Sequence, residues 1–350
     1  MRLQHYLQNS SVKTCLNCLV ATSFCLFIIY DGKFASLGAV RSRLMDSDLK
    51  STQLKVDMPD VLMQPHFFTN IRNDSLGIYI RCHPQQLKLR QLVRQTWLQS
   101  ARSFGYNCFF VIGLSLSNST NERVIRETSA FGDILLLNMQ DAYSELNTKN
   151  YLMLKYHSLA FPLGVFLWTN IDTIVLPVNL KRLIENDDIT PSQVPTIYGE
   201  CTCSGSCEKR TRIYAQRDKR SFWYMPTSVL PHEQYPGYCT GYAVLMSPRV
   251  TTLLVQAADR MGVEFMRHFW IDDVLFTGVY RQNASVQLRD RRSRDTGFVN
   301  DFSRALDRYN RSVAVHLNSR THKLEDVWLS HQEYVHNHSS LTSSAPKGIT

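Results

Sequence analysis

The chain has 350 residues, of which 44% are hydrophobic and 20% are charged, and these proportions exclude a disordered, collagen-like or coiled-coil protein. Its length allows one large domain or two ordinary ones. The 39 Lys and Arg residues outnumber the 30 Asp and Glu residues, which gives a net charge of +9. This charge admits nucleic acid, anionic membranes or phosphate-bearing molecules as partners. Because the basic residues are scattered along the chain, a nucleic-acid-binding function is disfavoured.

One long apolar stretch, residues 14–30, lies near the N-terminus between Lys13 and Asp31. Its roughly 17 uncharged residues reach the short end of the length that spans a bilayer. We interpret the stretch as an uncleaved transmembrane signal-anchor, with a cytosolic tail at residues 1–13. A cleaved signal peptide is the alternative, because small residues follow at 35–37.

Possible glycosylation sites support a luminal position for the chain that follows the anchor. Asn-X-Ser/Thr triplets are acceptors in the secretory pathway, although each triplet alone is common by chance. They predict a glycoprotein modified at Asn73, Asn118, Asn283, Asn310 and Asn337.

Three of the nine cysteines lie in the apolar stretch, and the six that remain could pair fully in an oxidising lumen. A metal cluster is the alternative for the three cysteines between residues 201 and 207. No histidine or fourth cysteine lies nearby in the sequence to complete a tetrahedral site, so disulfides are favoured. The six residues are Cys82, Cys108, Cys201, Cys203, Cys207 and Cys239.

The segment after the anchor, residues 31–74, is polar, has no sustained hydrophobic period and contains Pro59 and Pro65, as is typical of a stem. Beyond it, short apolar runs alternate with segments whose apolar residues recur at helical spacing. The predicted strands are 76–80, 108–112, 134–137 and 165–168, and the predicted helices are 89–97, 122–131 and 148–161.

This alternation predicts an α/β domain over residues 75–335, followed by a tail at 336–350. Such domains have a mostly parallel central sheet flanked by helices, and they bind ligands beyond the carboxyl ends of the strands. That position falls after Trp168, where Asp172 provides a single carboxylate. An aspartate there is often only a turn former. In enzymes that use nucleotide sugars, a carboxylate at this place holds a divalent cation that neutralises the diphosphate.

Four sequence blocks, in order, resemble those of the β-1,3-galactosyltransferase and β-1,3-N-acetylglucosaminyltransferase family. The resemblance extends from residue 76 to residue 328 and implies a Golgi type II membrane enzyme with a GT-A fold. The blocks are 90–97 (RQLVRQTW), 132–135 (GDIL) with Asp141, Tyr143, Leu146 and Lys149, 235–242 (YPGYCTGY) with Val244, Leu245 and Ser247, and 272–274 (DDV) with Thr277 and Gly278.

The resemblance implies a single displacement at the anomeric carbon of a UDP-sugar. It gives the role of general base to Asp273, and Asp272 would position the acceptor. Capping of the helix predicted at 274–280 is the bland alternative for both carboxylates. The acceptor site would include Trp223, Tyr238 and Gly241. Core packing is an equally weighted alternative for the two aromatic residues.

The same resemblance implies a donor site and a cation site. The cations of Arg90, Arg94 and Lys149 would meet the nucleotide, with Asn170 beside it. For the two arginines, the alternative is the solvated side of an amphipathic helix. Asp172 and His316 would bind Mn²⁺ or Mg²⁺, although a lone histidine is more often structural.

One departure from the family pattern bears on the activity. Three consecutive aspartates are typical of the family, whereas this chain has Asn170, Ile171 and Asp172. We expect an inverting hexosyltransferase that moves galactose or an N-acetylhexosamine to a glycan hydroxyl in a β-1,3 linkage. A catalytically inactive relative that binds nucleotide sugar or glycan is the alternative, because affinity for the cation would be lower.

Overall fold

The computed structural model describes residues 28–30, 33–35, 56–66, 74–191, 193–207, 213–292, 297–300, 312–317 and 324–342. The chain divides into two compact units, Met1–Thr52 and Gln53–Thr350. The described part of the first unit is an antiparallel pair of strands, β1 (Ile28–Tyr30) and β2 (Lys33–Ala35).

The predicted cytosolic tail and residues 14–27 of the predicted anchor lie outside the described residues. Within the described ranges, no helix has both the length and the apolar character needed to cross a membrane. The signal-anchor therefore stays a prediction.

The second unit is built on an eight-stranded sheet with the order β11-β9-β10-β7-β4-β5-β6-β3. Its strands are β3 (Val61–Met63), β4 (Gly77–Arg81), β5 (Asn107–Leu114), β6 (Ile134–Gln140), β7 (Phe166–Asn170), β9 (Thr196–Cys201), β10 (Cys239–Met246) and β11 (Gln287–Asp290).

The helices of this unit include those predicted at 89–97, 122–131, 148–161 and 274–280, the first of which is interrupted at Thr96. They are α1 (Leu87–Gln95), α2 (Trp97–Ser103), α3 (Asn118–Phe131), α4 (Leu146–Ala160), α5 (Pro177–Asn186), α6 (Val250–Met261), α7 (Val263–His268), α8 (residues 272–283) and α9 (Leu324–Thr342). Helix α8 begins at Asp272–Val274, widens into a π-helix over Leu275–Tyr280 and ends at Arg281–Asn283.

The central strands are buried on both faces, which explains why their sequences are continuous apolar runs. Ile78, Tyr79 and Ile80 of β4 are all fully buried, although successive side chains of a strand point to opposite faces. The Tyr79 face packs into one core with α4 and α6. On the other face, the Arg94 guanidinium of α1 lies 4.8 Å from the ring centroid of Phe110. The prediction of an α/β domain with helices around a buried sheet is confirmed.

Strands β6, β5, β4 and β7 run parallel, as predicted, whereas β10 runs antiparallel between β7 and β9. The sheet is therefore mixed, and its parallel part is the centre. Ala243 of β10 pairs with Thr169 of β7, so the start of β10 lies beside the carboxyl end of β7. This arrangement brings the start of β10 to the edge at which ligands are expected.

Part of the segment predicted as a stem belongs to the folded unit. Strand β3 pairs antiparallel with β6, with Val61 opposite Leu137, and Val56 and Met58 are buried in the core. The sequence did not indicate this strand because a three-residue edge strand is too short to show an alternating pattern.

A second, three-stranded sheet has the order β12-β13-β8, and its strand β8 follows β7 directly in the chain. It consists of β8 (Thr173–Val175), β12 (Phe298–Asn300) and β13 (Ala314–His316). Residue His316 is paired with Thr173, so a residue from the C-terminal part of the chain reaches the turn that contains Asp172.

Two disulfides join Cys201 to Cys239 and Cys203 to Cys207, which confirms the disulfide interpretation of the cysteines near residue 201. The possibility that all six cysteines beyond the apolar stretch pair is excluded, because Cys82 and Cys108 are free and buried. In the parallel register, Cys108 lies opposite Ile78, four positions before Cys82. At ~3.3 Å per residue, the two thiols are roughly 13 Å apart along the strands, too far to bond.

We predict that alkylation of the native, unreduced protein leaves Cys82 and Cys108 unmodified and that denaturation without reductant exposes both. Burial raises the pKa of Cys82 to about 11 and that of Cys108 to about 12, which slows alkylation further. Peptide mapping should find the four disulfide-bonded cysteines labelled only after reduction. A cross-linked peptide that contains Cys82 and Cys108 would contradict the structure.

Candidate active site

Several polar side chains converge at the carboxyl ends of the central strands. Arg81 is the last residue of β4 and Asn170 is the last residue of β7. Gly241 lies near the start of β10, and Asp272 begins α8. This convergence of distant segments on one edge of the sheet defines the candidate active site.

The buried guanidinium of Arg81 is the centre of this site. Its Nε and Nη2 donate to Oδ1 of Asn170, at 3.1 and 2.7 Å, and Nη2 also donates to the carbonyl of Gly241. Its Nη1 donates to Oδ2 of Asp272, at 2.7 Å, and to Oδ1 of Asn150, at 3.0 Å. Asn150 completes the network, since its Nδ2 donates to the same oxygen of Asp272 at 3.0 Å.

Asp273 lies next to this network in a different environment. Its Oδ1 accepts a hydrogen bond from the amide of Val274 at 2.8 Å. Burial, followed by the neighbouring charge of Asp272, raises the pKa of Asp273 to about 7, against the opposing effects of the backbone amides and of Arg81. A carboxylate with such a pKa can accept a proton near neutral pH.

Neighbouring residues hold Asp273 in place. Oγ1 of Thr277 donates to the carbonyl of Asp273 at 2.6 Å and accepts from the amide of Cys239 at 2.9 Å. A Cβ atom at Gly241 would lie 3.2 Å from Cβ of Asp273, so glycine allows β10 and α8 to approach closely. The third and fourth sequence blocks therefore meet at Asp273.

The two residues predicted to bind a cation also meet. Nε2 of His316 lies 3.4 Å from Oδ2 of Asp172, and the His316 ring stacks on Tyr242 with centroids 5.2 Å apart. Oδ1 of Asp172 is buried and has no hydrogen-bond partner. Within the described ranges, no group of three or more His, Cys, Asp or Glu side chains could hold a metal ion. A cation here would have two protein ligands and would take the rest from substrate or water.

Arg90 and Arg94, predicted to bind the donor, are engaged in buried ion pairs. The Arg90 side chain binds Glu127 through Nε and Nη2, at 2.9 and 2.6 Å. Arg94 binds Asp133 through Nε and Nη2, at 2.9 and 2.7 Å, and its Nη1 lies 2.8 Å from Glu127. The alternative that both arginines lie on a solvated helix face is wrong, because their side chains are only 1% and 7% exposed.

Lys149 and Asn170, also predicted for the donor site, contact other protein groups as well. The buried Lys149 ammonium donates to both carboxylate oxygens of Asp141, at 2.8 and 2.7 Å, and to the carbonyl of Cys82. Asp141 in turn accepts from the amide of Gly113 at 2.7 Å. Asn170 directs Oδ1 to Arg81. The donor roles of these four residues stay predictions.

The aromatic residues predicted for the acceptor site differ in exposure. Trp223 is 48% exposed and stacks on Trp270, with centroids 5.5 Å apart, so core packing does not account for it. Phe222 meets both rings edge-on and also contacts Tyr143, with centroids 5.6 Å apart. Burial raises the pKa of Tyr143 and the charges of Asp272 and Asp273 raise it further, so this aromatic group adjoins the carboxylates.

Tyr238, the other predicted acceptor residue, is half-buried. Its ring lies edge-on to Tyr235, with centroids 6.3 Å apart. Burial, followed by the charge of Asp273, raises the pKa of Tyr238 to about 12. Tyr238 therefore lies within electrostatic reach of the predicted base.

The predicted glycosylation sites fall in different parts of the structure. Asn118 begins α3, and the exposed Asn283 ends α8 and accepts a hydrogen bond from Arg260 at 3.0 Å. Asn337 lies in α9, with its side chain outside the described residues. Asn73 and Asn310 lie outside the described residues entirely.

Sequence reasoning did not find Arg81 or Asn150. An arginine at the end of a strand normally faces solvent, and its partners Asn170 and Asp272 are 89 and 191 residues away in the sequence. The one available signal was Arg81 as a cation directly after the apolar run of β4, at the edge where ligands bind.

The family model described as Galactosyltransferase matches residues 88–292, which is more than half of the chain. The matched segment begins within α1 and contains all four sequence blocks. The chain therefore belongs to the galactosyltransferase family, and the resemblance inferred from its sequence is confirmed. By family, the protein is a glycosyltransferase.

The similar proteins include three beta-1,3-galactosyltransferases. Beta-1,3-galactosyltransferase 5 of Pan troglodytes is 23% identical over 256 residues, which cover 72% of this chain and 80% of that protein. Beta-1,3-galactosyltransferase 2 of Homo sapiens is 27% identical over 179 residues, covering 49% and 40%. Beta-1,3-galactosyltransferase 1 of Mus musculus is 24% identical over 210 residues, covering 56% and 61%. The crystal structure of galactosyltransferase LgtC with donor and acceptor sugar analogs gives a TM-score of 0.40 at 12% identity, covering 77% of this chain and 98% of that chain.

We predict that Arg90→Met lowers the free energy of unfolding by about 3–5 kcal/mol, because it leaves the Glu127 carboxylate buried with one partner fewer. Thermal or urea unfolding of the variant measures this loss. Lys181→Met, which removes an exposed pair with Glu185, is the control and should cost less than about 1 kcal/mol. Unchanged stability with weaker nucleotide binding would instead support the donor role of Arg90.

Proposed function

We propose that this protein is an inverting glycosyltransferase that moves a hexose from a UDP-sugar to a hydroxyl of a glycan acceptor in a β-1,3 linkage. The hexose is galactose or an N-acetylhexosamine, and the acceptor belongs to a glycoprotein or glycolipid. The observation that carries the proposal is the position of Asp273. Its carboxylate is partly buried, with a pKa raised to about 7, and it lies beside the Arg81 network and within electrostatic reach of Tyr143, which contacts the exposed aromatic group at Phe222.

In the proposed reaction, the acceptor hydroxyl oxygen attacks the anomeric carbon as its proton passes to the Asp273 carboxylate. The bond between the anomeric carbon and the phosphate oxygen breaks, and UDP leaves from the opposite face with the electron pair. Asp272 is bound to Arg81 and Asn150 through Oδ2 and would orient the acceptor beside the base. The exposed face of Trp223 would stack on a sugar ring.

The side chains present fit a hard divalent cation, Mn²⁺ or Mg²⁺. Asp172 offers a buried oxygen that lacks a hydrogen-bond partner, and His316 offers an imidazole nitrogen beside it. These two residues would hold the ion, and diphosphate oxygens would complete its ligand set. When bound, the ion supplies a positive charge that stabilises the departing diphosphate.

The proposal extends to the location of the protein and the form of its fold. A GT-A arrangement would bind the UDP-sugar across the carboxyl ends of β4, β5 and β7, near Lys149. Residues 14–30 would anchor the chain as a type II protein in the Golgi membrane, with the active site in the lumen. The apolar length of that stretch and the glycosylation triplets support this part of the proposal.

We predict that full-length protein in detergent releases UDP from at least one UDP-sugar when a glycan acceptor and Mn²⁺ are present. Asp273→Asn should lower kcat by about 10²–10⁴-fold, because the acceptor loses its base. The control is Asp259→Asn, a change at an exposed carboxylate that binds Tyr151 outside the site. Full turnover by Asp273→Asn would refute the role of Asp273. No release from the parent protein with any donor would favour the inactive relative.

We also predict that Asp172→Asn and His316→Gln each weaken Mn²⁺ binding in the presence of UDP by about 100-fold or more, since loss of even an outer partner of a metal site costs 10–100-fold. Electron paramagnetic resonance of free and bound Mn²⁺ gives this affinity without turnover. Asp290→Asn is the control, because Asp290 ends β11 at the same edge of the sheet and binds Arg292. Unchanged Mn²⁺ affinity in both site variants would refute the cation site.

A further inference from the structure

We propose that Arg81 is a positioning residue: it forms an ion pair with Asp272, so that the neighbouring Asp273 remains free to act as the base. Asn170 takes part in the same network as an uncharged hydrogen-bond acceptor. Asn170 then belongs to the acceptor side of the active site and binds neither the cation nor the donor. This inference rests on the proposed function.

The first step is the complete use of the guanidinium. Arginine has five N–H donors in a fixed planar arrangement. All five are directed at acceptors, which come from four residues: Asn170, Asn150, Asp272 and Gly241. The Arg81 side chain is only 6% exposed, so its orientation is fixed by the protein. No donor is left over for a substrate, which makes Arg81 a positioning group.

The second step concerns charge. Among the four residues that accept from Arg81, only Asp272 is ionisable, and its Oδ2 also accepts from Asn150. Asp273 is not in direct contact with the guanidinium, but Gly241 links the two. The carbonyl of Gly241 accepts from Arg81, and its amide interacts with the Asp273 carboxylate. Two adjacent carboxylates therefore have different partners, which gives them different roles.

The third step explains the amide at residue 170. Oδ1 of Asn170 accepts two of the five Arg81 hydrogen bonds, so the oxygen that a cation would need is already engaged. An aspartate at this place would set a second carboxylate against Arg81 and would compete with Asp272. The asparagine at residue 170, where the family typically has an aspartate, therefore suits the arginine at the end of β4.

The groups that act electrostatically on Asp273 come from several elements. Asp272 lies on the same helix, Arg81 comes from β4, and Tyr143 comes from the turn before α4. Tyr235 and Tyr238 come from the segment that leads into β10. Burial raises the pKa of Asp273 most; because the tyrosines are neutral near pH 7, Asp272 and Arg81 are the charged neighbours that then raise and lower it.

The test is the pH profile of kcat/KM for full-length Asn170→Asp. An added negative charge beside Arg81 should move the acidic limb up by about one pH unit, with about a 10-fold loss below that limb and little loss at high pH. Arg81→Met should shift the limb further, and Arg81→Lys should shift it less, since it keeps the charge. Gln140→Glu adds a charge at the exposed end of β6 and should leave the profile unchanged.

Two outcomes would overturn the inference. If Asn170→Asp tightened Mn²⁺ binding and raised activity at every pH, residue 170 would belong to the cation site. If Asn170→Asp and Arg81→Lys lost activity equally at all pH values, the network would have only a structural role. Arg81→Met is open to misfolding, and the two conservative variants keep the test decisive.

A second readout separates this inference from the proposed function. In protein labelled with ¹³C at the aspartate carboxyls, the resonance of Asp273 is assigned by its loss in Asp273→Asn, and its titration is followed by NMR. A titration that moves up in Asn170→Asp supports the Arg81 network even in a protein without turnover. Turnover with an unmoved titration would overturn the network and leave the proposed function intact.

Discussion

The candidate active site depends on the burial of one guanidinium, that of Arg81. Removing a charged arginine from water is costly unless every donor finds an acceptor, and that requirement constrains the surrounding chain. Arg81 meets it with groups from α4, β7, β10 and α8. The carboxyl ends of two parallel strands, the start of an antiparallel strand and the start of a helix must therefore lie within a few ångströms of one another. The position of Asp273 follows from this constraint, because it is the next residue along α8.

A second buried ionic group joins α1 to α3, on the face of the sheet that carries Phe110 of β5. Arg90 and Arg94 of α1 bind Glu127 of α3 and Asp133, which precedes β6. Gly132, with φ of 64°, ends α3 and turns the chain so that Asp133 enters this group. Much of the first two sequence blocks is thereby accounted for by structure alone. A family motif that is rich in arginine does not by itself mark a nucleotide site.

Much of the fold was predictable from the sequence, because fully buried parallel strands leave continuous apolar runs and their helices leave a regular spacing. The predicted strands at 76–80 and 165–168 correspond to β4 and β7 within a residue or two. The antiparallel β10 and the edge strand β3 were not predictable, since strand direction depends on partners far away in the chain. The cysteine count was also misleading, because an even number of thiols does not bring Cys82 near Cys108.

The site was predictable only where the family resemblance supplied it. Hydrophobic spacing located the edge of the sheet that carries Asp172, but it could not bring His316 to that aspartate. The pairing of β13 with β8 does so, over a separation that no local pattern spans. Arg81 and Asn150 were missed because each is an ordinary polar residue until tertiary contacts bury it.

The disulfide between Cys201 and Cys239 links the site to the chemistry of the compartment in which the chain folds. Cys239 is the first residue of β10, and its amide binds the Thr277 hydroxyl that also holds the carbonyl of Asp273. A cross-link at this residue thus fixes the strand end against which α8, the helix of the proposed base, packs. In the proposed luminal location this cross-link would form as the chain folds, so the surroundings of the proposed base would depend on oxidation of one cysteine pair and would lack that support in a reducing compartment.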